Sequence, residues 1–164
     1  MVSSKPIRLN LYLLLSLLFL NTTASGADWP TYRHDNARTG CAREELSVPM
    51  ALQWIYTSVH PPSPAWSKPA ERPREGVILL HRVNFDYAFQ VAAVGNVVYF
   101  GSSADNKVYA LDATTGQERW SFFTGGPVRL APTVWKDRVL FGSDDGFVYC
   151  LKAADGQLLW KKRG

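Results

Sequence analysis

Ala110-Leu111-Asp112-Ala113-Thr114-Thr115-Gly116-Gln117-Glu118-Arg119-Trp120 decides how this chain folds, because it is written twice. The second copy begins 40 residues later, as Cys150-Leu151-Lys152-Ala153-Ala154-Asp155-Gly156-Gln157-Leu158-Leu159-Trp160. In each copy an apolar run ends, a turn containing a Gly follows, and a second run delivers a Trp. Upstream, Tyr99-Phe100-Gly101-Ser102 matches Leu140-Phe141-Gly142-Ser143 at an offset of 41, since 103–107 holds one residue more than 144–147. A self-similar unit of about 40 residues built from short strands predicts a propeller or a stacked β-array.

Ala110, Asp112, Thr115, Gly116 and Trp120 fit the pattern A-x-D-x-x-T-G-x-x-x-W. On these residues the chain resembles the PQQ-like (quinoprotein-like) β-propeller repeat family over residues 28–164, most closely from Ala88 onward. In the second copy Cys150, Lys152 and Asp155 replace Ala, Asp and Thr, and Gly156 and Trp160 remain. A WD-type repeat fits less well, because no Gly-His or Trp-Asp pair stands where it is needed.

The resemblance implies that each motif Trp stacks on a turn of a neighbouring blade. Ala110, Asp112, Thr115, Gly116, Trp120, Gly156 and Trp160 are then a structural docking motif and not catalysts. The family's founding members are alcohol and sugar dehydrogenases that hold pyrroloquinoline quinone and Ca²⁺ on the propeller axis. None of their quinone, calcium or catalytic residues maps onto a numbered position here, so no catalytic, cofactor-binding or metal residue is assigned. Quinone and calcium enter only if further blades supply their site. Other exported members have no known cofactor and serve as binding scaffolds, and one branch resembles the lipoprotein that assists outer-membrane barrel assembly.

Not all 164 residues belong to the repeats. Lys5 and Arg8 come before or at the start of an apolar run, 9–20, and a small, polar stretch, 21–27, follows. This is the order of a secretory signal peptide, and the apolar core is short for a membrane span. Ser25-Gly26-Ala27 predicts cleavage before Asp28, with an uncleaved N-terminal anchor as the alternative. Losing residues 1–27 removes Lys5 and Arg8 and no acid, so the formal charge falls from +4 to +2. That charge, with no basic face, argues against nucleic acid as a partner. The expected location is exported: periplasmic, cell-envelope or extracellular. Export permits disulfides, and a Cys41–Cys150 bridge is left open, because spacing alone does not establish its geometry.

The remaining chain divides into an irregular segment 28–50, a strand of an incomplete blade at 51–57, an insertion at 58–87, and blades at 88–124 and 125–164. The segment 28–40 resembles the opening of exported PQQ-like propellers, with Tyr32 and His34 as departures. Its Arg33, Asp35 and Arg38 read as pairs that pin an irregular segment rather than as a catalytic cluster. The strand at 51–57 resembles 118–124. Pro61, Pro62, Pro64, Pro69 and Pro73 deny the insertion a hydrogen-bonded ladder. Within it, Trp66 is a possible partner contact, being a large apolar side chain in a surface loop. Residues 77–80 form a candidate short strand.

Strands are expected at 88–94, 97–102, 108–111 and 118–123, then at 128–135, 138–142, 147–151 and 157–161, with a two-residue hairpin at Gly95-Asn96. The runs Val97-Val98-Tyr99-Phe100 and Val139-Leu140-Phe141 are apolar on both faces, which fits blades stacked face to face. The fold class is all-β: a partial β-propeller of four-stranded antiparallel blades, about two complete and one strand of another. A closed propeller has four to eight blades. Two blades leave an apolar face bare, so the reading is of a fragment whose partners are the remaining propeller blades, with a ring completed by identical or related chains, or a small stand-alone β-domain, as the alternatives.

No catalytic constellation stands out. His34, His60 and His81 show no metal-ligand spacing. Ser143-Asp144-Asp145-Gly146 holds oxygen ligands of the kind calcium takes, but Asp and Gly are also what a hairpin turn selects. The functional expectation is an exported, non-catalytic scaffold with a protein- or ligand-binding surface. The alternative is the N-terminal part of a quinone-dependent dehydrogenase.

Overall fold

The computed structural model describes residues 26–46, 48–65 and 87–164. Trp66 and the candidate strand at 77–80 lie outside them. Eight strands run β1 (Val91–Val94), β2 (Val97–Ser102), β3 (Lys107–Asp112), β4 (Glu118–Phe123), β5 (Thr133–Trp135), β6 (Arg138–Ser143), β7 (Phe147–Lys152) and β8 (Leu158–Arg163). They form two four-stranded antiparallel sheets, ordered β1-β2-β3-β4 and β5-β6-β7-β8. The fold is all-β, and among the described residues there is no helix.

The register shows the repeat directly. Tyr99 faces Ala110 and Ala110 faces Trp120 in the first sheet; Leu140 faces Cys150 and Cys150 faces Trp160 in the second. Both sheets carry the same irregularity, at Ala110/Leu111 and at Cys150/Leu151, just before the motif turn. Each twist of the ladder there turns the chain toward the Trp-bearing outer strand.

Alternation sorts the side chains into two faces per sheet. Tyr99, Val108, Ala110 and Trp120 face the second sheet and join Val134, Val139, Phe141, Tyr149 and Leu151 in one core. Phe100, Tyr109 and Leu111 lie on the opposite face of the first sheet, under Trp54, Tyr56 and Phe89. Both faces of the first sheet's inner strands are therefore covered, as their unbroken apolar runs require. At roughly 25 cal/mol per Å² of apolar area removed from water, this burial is the main favourable contribution to the fold.

Three strand expectations need correction. Residues 51–57 make no ladder and are not a strand; Trp54 and Tyr56 hold them to the first sheet by side-chain contacts. β5 starts at Thr133 rather than at 128, because Pro132 has no N–H for the ladder. β1 starts at Val91 rather than at 88. Phe89 there turns into the aromatic cluster beside Phe100, and the Gln90 carboxamide accepts from the Ala131 amide.

The N-terminal segment stitches the inner edges of both sheets. Trp29 and Ala93 exchange two backbone hydrogen bonds, at 2.6 and 2.8 Å. The next carbonyl, Pro30, accepts from the Val134 amide at 2.7 Å, and the Thr31 and Thr133 hydroxyls meet at 2.8 Å. Arg38 reaches back to the Tyr32 carbonyl and Thr31 Oγ1, and Asp35 takes the amide and hydroxyl of Thr39. Arg38 and Asp35 thus hold this segment's own shape, each through a Thr or a backbone group and not as the Arg–Asp pair expected. Cys41 is exposed, Cys150 is buried, and both are free thiols, so the bridge left open above is not formed.

Candidate functional site

The motif turn of the first sheet is built on Asp112. Its Oδ1 accepts from the amides of Thr114 and Thr115, both at 2.9 Å, and from the Thr115 hydroxyl. Its Oδ2 accepts from Arg119 at 2.6 Å and from Asn96. The Arg119 guanidinium first, and then the Thr115 amide, hold this carboxyl at a pKa of about 2. Gly116 closes the turn in the left-handed region, at φ 72°.

The second turn has the same backbone bonds with different side chains. Gly116 N donates to Asp112 O and Gly156 N to Lys152 O, at 2.8 and 2.9 Å. Where Asp112 and Thr115 stood, Lys152 now donates to Asp155 Oδ2 at 3.0 Å, and Asp155 Oδ1 takes the Gln157 amide. The apparent degeneracy of the second motif is a replacement of one turn-holding pair by another.

On each turn lies an indole from outside its own sheet. Trp120 donates from Nε1 to the Ala153 carbonyl at 3.0 Å, and its ring covers Gly156. A Cβ on Gly156 would stand 2.7 Å from Trp120 Cε3, so any other residue there collides with the ring. Trp54 repeats this on the first turn, donating to the Ala113 carbonyl at 2.8 Å with its ring over Gly116. Tyr56 meets Phe100 and Tyr109 as Phe122 meets Tyr149. Trp54 was missing from the motif assigned above. Its signal is the W-x-aromatic spacing shared by Trp54-Ile55-Tyr56 and Trp120-Ser121-Phe122.

Trp160 stands where the register places Trp120, yet it is 37% exposed against 9%. No turn receives it among the described residues. Ala110 and Cys150 are fully buried beneath the two indoles, which is why both positions hold a small side chain.

A second repeated arrangement lies in the turns after β2 and β6. Asp105 accepts from Ser102 Oγ and Tyr109 OH, at 2.9 and 3.0 Å, and meets His60 Nδ1 at 3.0 Å. Asp145 accepts from Tyr149 OH and from the amides of Gly125 and Phe147. Burial first, and then the bond to Asp105, push the Tyr109 phenol up. The sequence carries this as Asp-x-x-x-Tyr in both repeats, a spacing that a hairpin-turn reading of Asp145 passes over.

Those bonds also decide the fit of quinone and calcium. Among the described residues no three His, Cys, Asp or Glu side chains converge as metal ligands. Asp105, Asp112 and Asp145 have their oxygens engaged by the partners above, and Asp144 is taken by Arg129 at 2.6 Å. These residues do not fit the group. A cleft of about 340 Å³ between the N-terminal segment and β5 is lined by Thr31, His34, Asp35, Thr133 and Trp135, among others. Its Asp35 is already bound to Thr39.

Residues 54–164 match the PQQ_2 family model, described as outer membrane protein assembly factor BamB. The chain belongs to this family. It is 36% identical over 70 residues to an outer membrane protein assembly factor BamB from Moranella endobia (strain PCIT), covering 43% of this chain and 18% of the relative. It is 28% identical over 81 residues to a quinoprotein ethanol dehydrogenase from Pseudomonas aeruginosa, covering 44% of this chain and 13% of that protein. The chain thus spans less than a fifth of either relative. Among solved structures, the quinohemoprotein alcohol dehydrogenase from Comamonas testosteroni aligns over 83% of this chain and 19% of its own, with a TM-score of 0.58. At 21% identity that likeness shows the fold alone.

Proposed function

We propose that this chain is part of an exported, non-catalytic β-propeller scaffold of the cell envelope that presents a binding surface to a protein or ligand. The observation that carries the reading is the docking geometry. The motif's Asp, Thr and Trp side chains and its Gly backbone are consumed by turns and by contacts between sheets. The carboxylates that remain near the turns are bound internally. The match to the BamB family model and the name of the relative from Moranella endobia support a protein partner in an envelope assembly.

The competing reading, part of a quinone-dependent dehydrogenase, is favoured by the match to the ethanol dehydrogenase. Incubation with pyrroloquinoline quinone and Ca²⁺, followed by dye-reduction assays on alcohols and aldoses, separates the two. The scaffold reading expects no turnover, and robust turnover by this chain overturns it.

Export is part of the proposal. Its support is the Lys5/Arg8 region, the apolar run after it and Ser25-Gly26-Ala27. The mature chain is expected to begin at Asp28, and N-terminal sequencing of envelope fractions reads this. Intact Met1 on cytoplasmic protein overturns it. Trp66 is retained as a proposed partner contact, tested by pull-down with Trp66→Ala.

A further inference from the structure

Pro61-Pro62-Ser63-Pro64 belongs to neither sheet. Its backbone is confined by its own composition. Each proline ring locks φ at about −65°. His60, Pro61 and Ser63 each precede a proline, which disfavours the helical region at all three. Residues 61–64 accordingly form no strand, turn or bend, and an extended polyproline geometry is what remains to them.

The sheets hold this run by its single amide. Proline has no N–H, so within 61–64 Ser63 carries the one donor, and it donates to Ser103 Oγ at 2.8 Å. Ser103 is buried in the turn after β2. The Ser63 carbonyl accepts from Arg129 Nη1 at 2.6 Å, and the same guanidinium binds Asp144 in the turn after β6. On the N-terminal side, His60 Nδ1 meets Asp105 at 3.0 Å. With three residues per turn, Pro61 and Pro64 share one edge of a polyproline helix. Both are exposed, while Pro62 is partly buried. The sheets thus take the Ser63 backbone and leave the Pro61–Pro64 edge to solvent.

We infer that Pro61–Pro64 is a docking ridge for a protein domain whose groove is lined by aromatic side chains and reads P-x-x-P segments. The amides decide the class of partner. Capture of an extended segment by strand addition needs main-chain hydrogen bonds, and the one N–H of this run is already spent on Ser103. What the run offers is proline rings at i and i+3, in a stretch from Ser58 to Ala65 that holds no Lys, Arg, Asp or Glu. Uncharged rings at that spacing fit between the aromatic ridges of a polyproline-binding groove. Because the bonds to Ser63 and His60 already set the conformation, docking has little left to order and keeps more of its contact energy. The inference rests on the scaffold reading and names a class of partner for it.

Isothermal titration of the full chain with recombinant SH3, WW and EVH1 domains as probes tests this. At least one probe is expected to bind, and Pro61→Ala/Pro64→Ala is expected to weaken that binding by about tenfold or more. Both prolines are exposed, so this variant is expected to keep the fold. Silence from all three probes overturns the inference, and so does binding that the double variant leaves unchanged. Ser103→Ala keeps every proline and releases the Ser63 amide. It is expected to weaken binding severalfold, and unchanged affinity overturns the role given to the sheet in shaping the ridge. If Ser103→Ala shows no folded signal by circular dichroism, Ser63→Gly, at an exposed position, is read by the same criterion. Quinone-dependent turnover defeats the scaffold reading itself, whereas silent probes without turnover defeat this inference alone.

Discussion

The Trp120 indole donates to the Ala153 carbonyl at 3.0 Å while its ring lies on Gly156, so one side chain closes a polar and an apolar contact between the sheets. Trp120→Ala removes both. It is expected to cost about 3–5 kcal/mol, as truncation of a buried aromatic does. Trp120→Phe keeps an aromatic ring but loses the hydrogen bond and part of the indole's packing area, and is expected to cost less than Trp120→Ala. Urea unfolding of both variants checks the order, and equal small losses defeat the claim that this contact organises the fold.

Gly156→Ala and Gly146→Ala separate steric from conformational cost. Both residues have positive φ, 72° and 84°, so both substitutions carry the left-handed penalty of roughly 1–2 kcal/mol. A Cβ at 146 meets nothing within 4 Å, whereas one at 156 meets the Trp120 ring. Gly156→Ala is expected to be the more destabilising, and the excess should vanish in a Trp120→Ala background. A double-mutant cycle measures it.

Acid should loosen the first motif turn before the second sheet's core. The Arg119 guanidinium and the Thr115 amide hold the Asp112 carboxyl down to about 2 in the folded chain, below its ordinary 3.8. Its ionised form is the one that binds Arg119 and Thr115, so its stabilisation is complete above the unfolded pKa and is lost as pH falls from about 4 toward 2. In Asp112→Asn the stability curve is expected to be flatter across that window, as followed by thermal melts at stepped pH.

Removing the Tyr149 hydroxyl leaves Asp145 short of a donor. Burial alone would raise the Asp145 pKa; the Tyr149 hydroxyl and the Phe147 and Gly125 amides outweigh it and hold it below the usual carboxylate range. Tyr149→Phe is expected to cost about 1.5–3 kcal/mol, the value of a hydrogen bond to a charged group, and to bring the acid transition to higher pH. Equilibrium unfolding at neutral and acid pH reads both effects.

The two thiols should differ in reactivity. Cys41 is exposed, while Cys150 is buried beneath Trp160, and burial pushes its thiol up. Alkylation followed by mass spectrometry is expected to label Cys41 in the native chain and Cys150 only after unfolding. Fast native labelling at 150 would mean that β8 leaves its sheet.

The repeat was legible because its signals are local. Gly116, Gly156 and the Trp spacing mark turns and strands within a dozen residues, and β2 and β4 run over the residues expected. Trp54 was harder to read, because its partner, the Ala113 carbonyl, lies 59 positions away and its own segment forms no strand. The Asp–Tyr contacts were hidden for another reason. Asp in a hairpin turn already has a sufficient local explanation, and only the fold shows that Asp145 also accepts from Tyr149 across the β6–β7 turn. The N-terminal stitch was likewise beyond reach, since Thr31 meets Thr133 across 102 positions.

In both docked pairs the indole precedes its carbonyl along the chain: Trp54 before Ala113, and Trp120 before Ala153. Translation delivers them in that order. At about 5–20 residues per second, the 59 positions between Trp54 and Ala113 correspond to roughly 3–12 s during which the indole has been made and its acceptor has not. During each of these two intervals the nascent chain carries a tryptophan whose acceptor has not yet been made. Slower elongation lengthens that exposure and gives a chaperone at the exit more time to bind it.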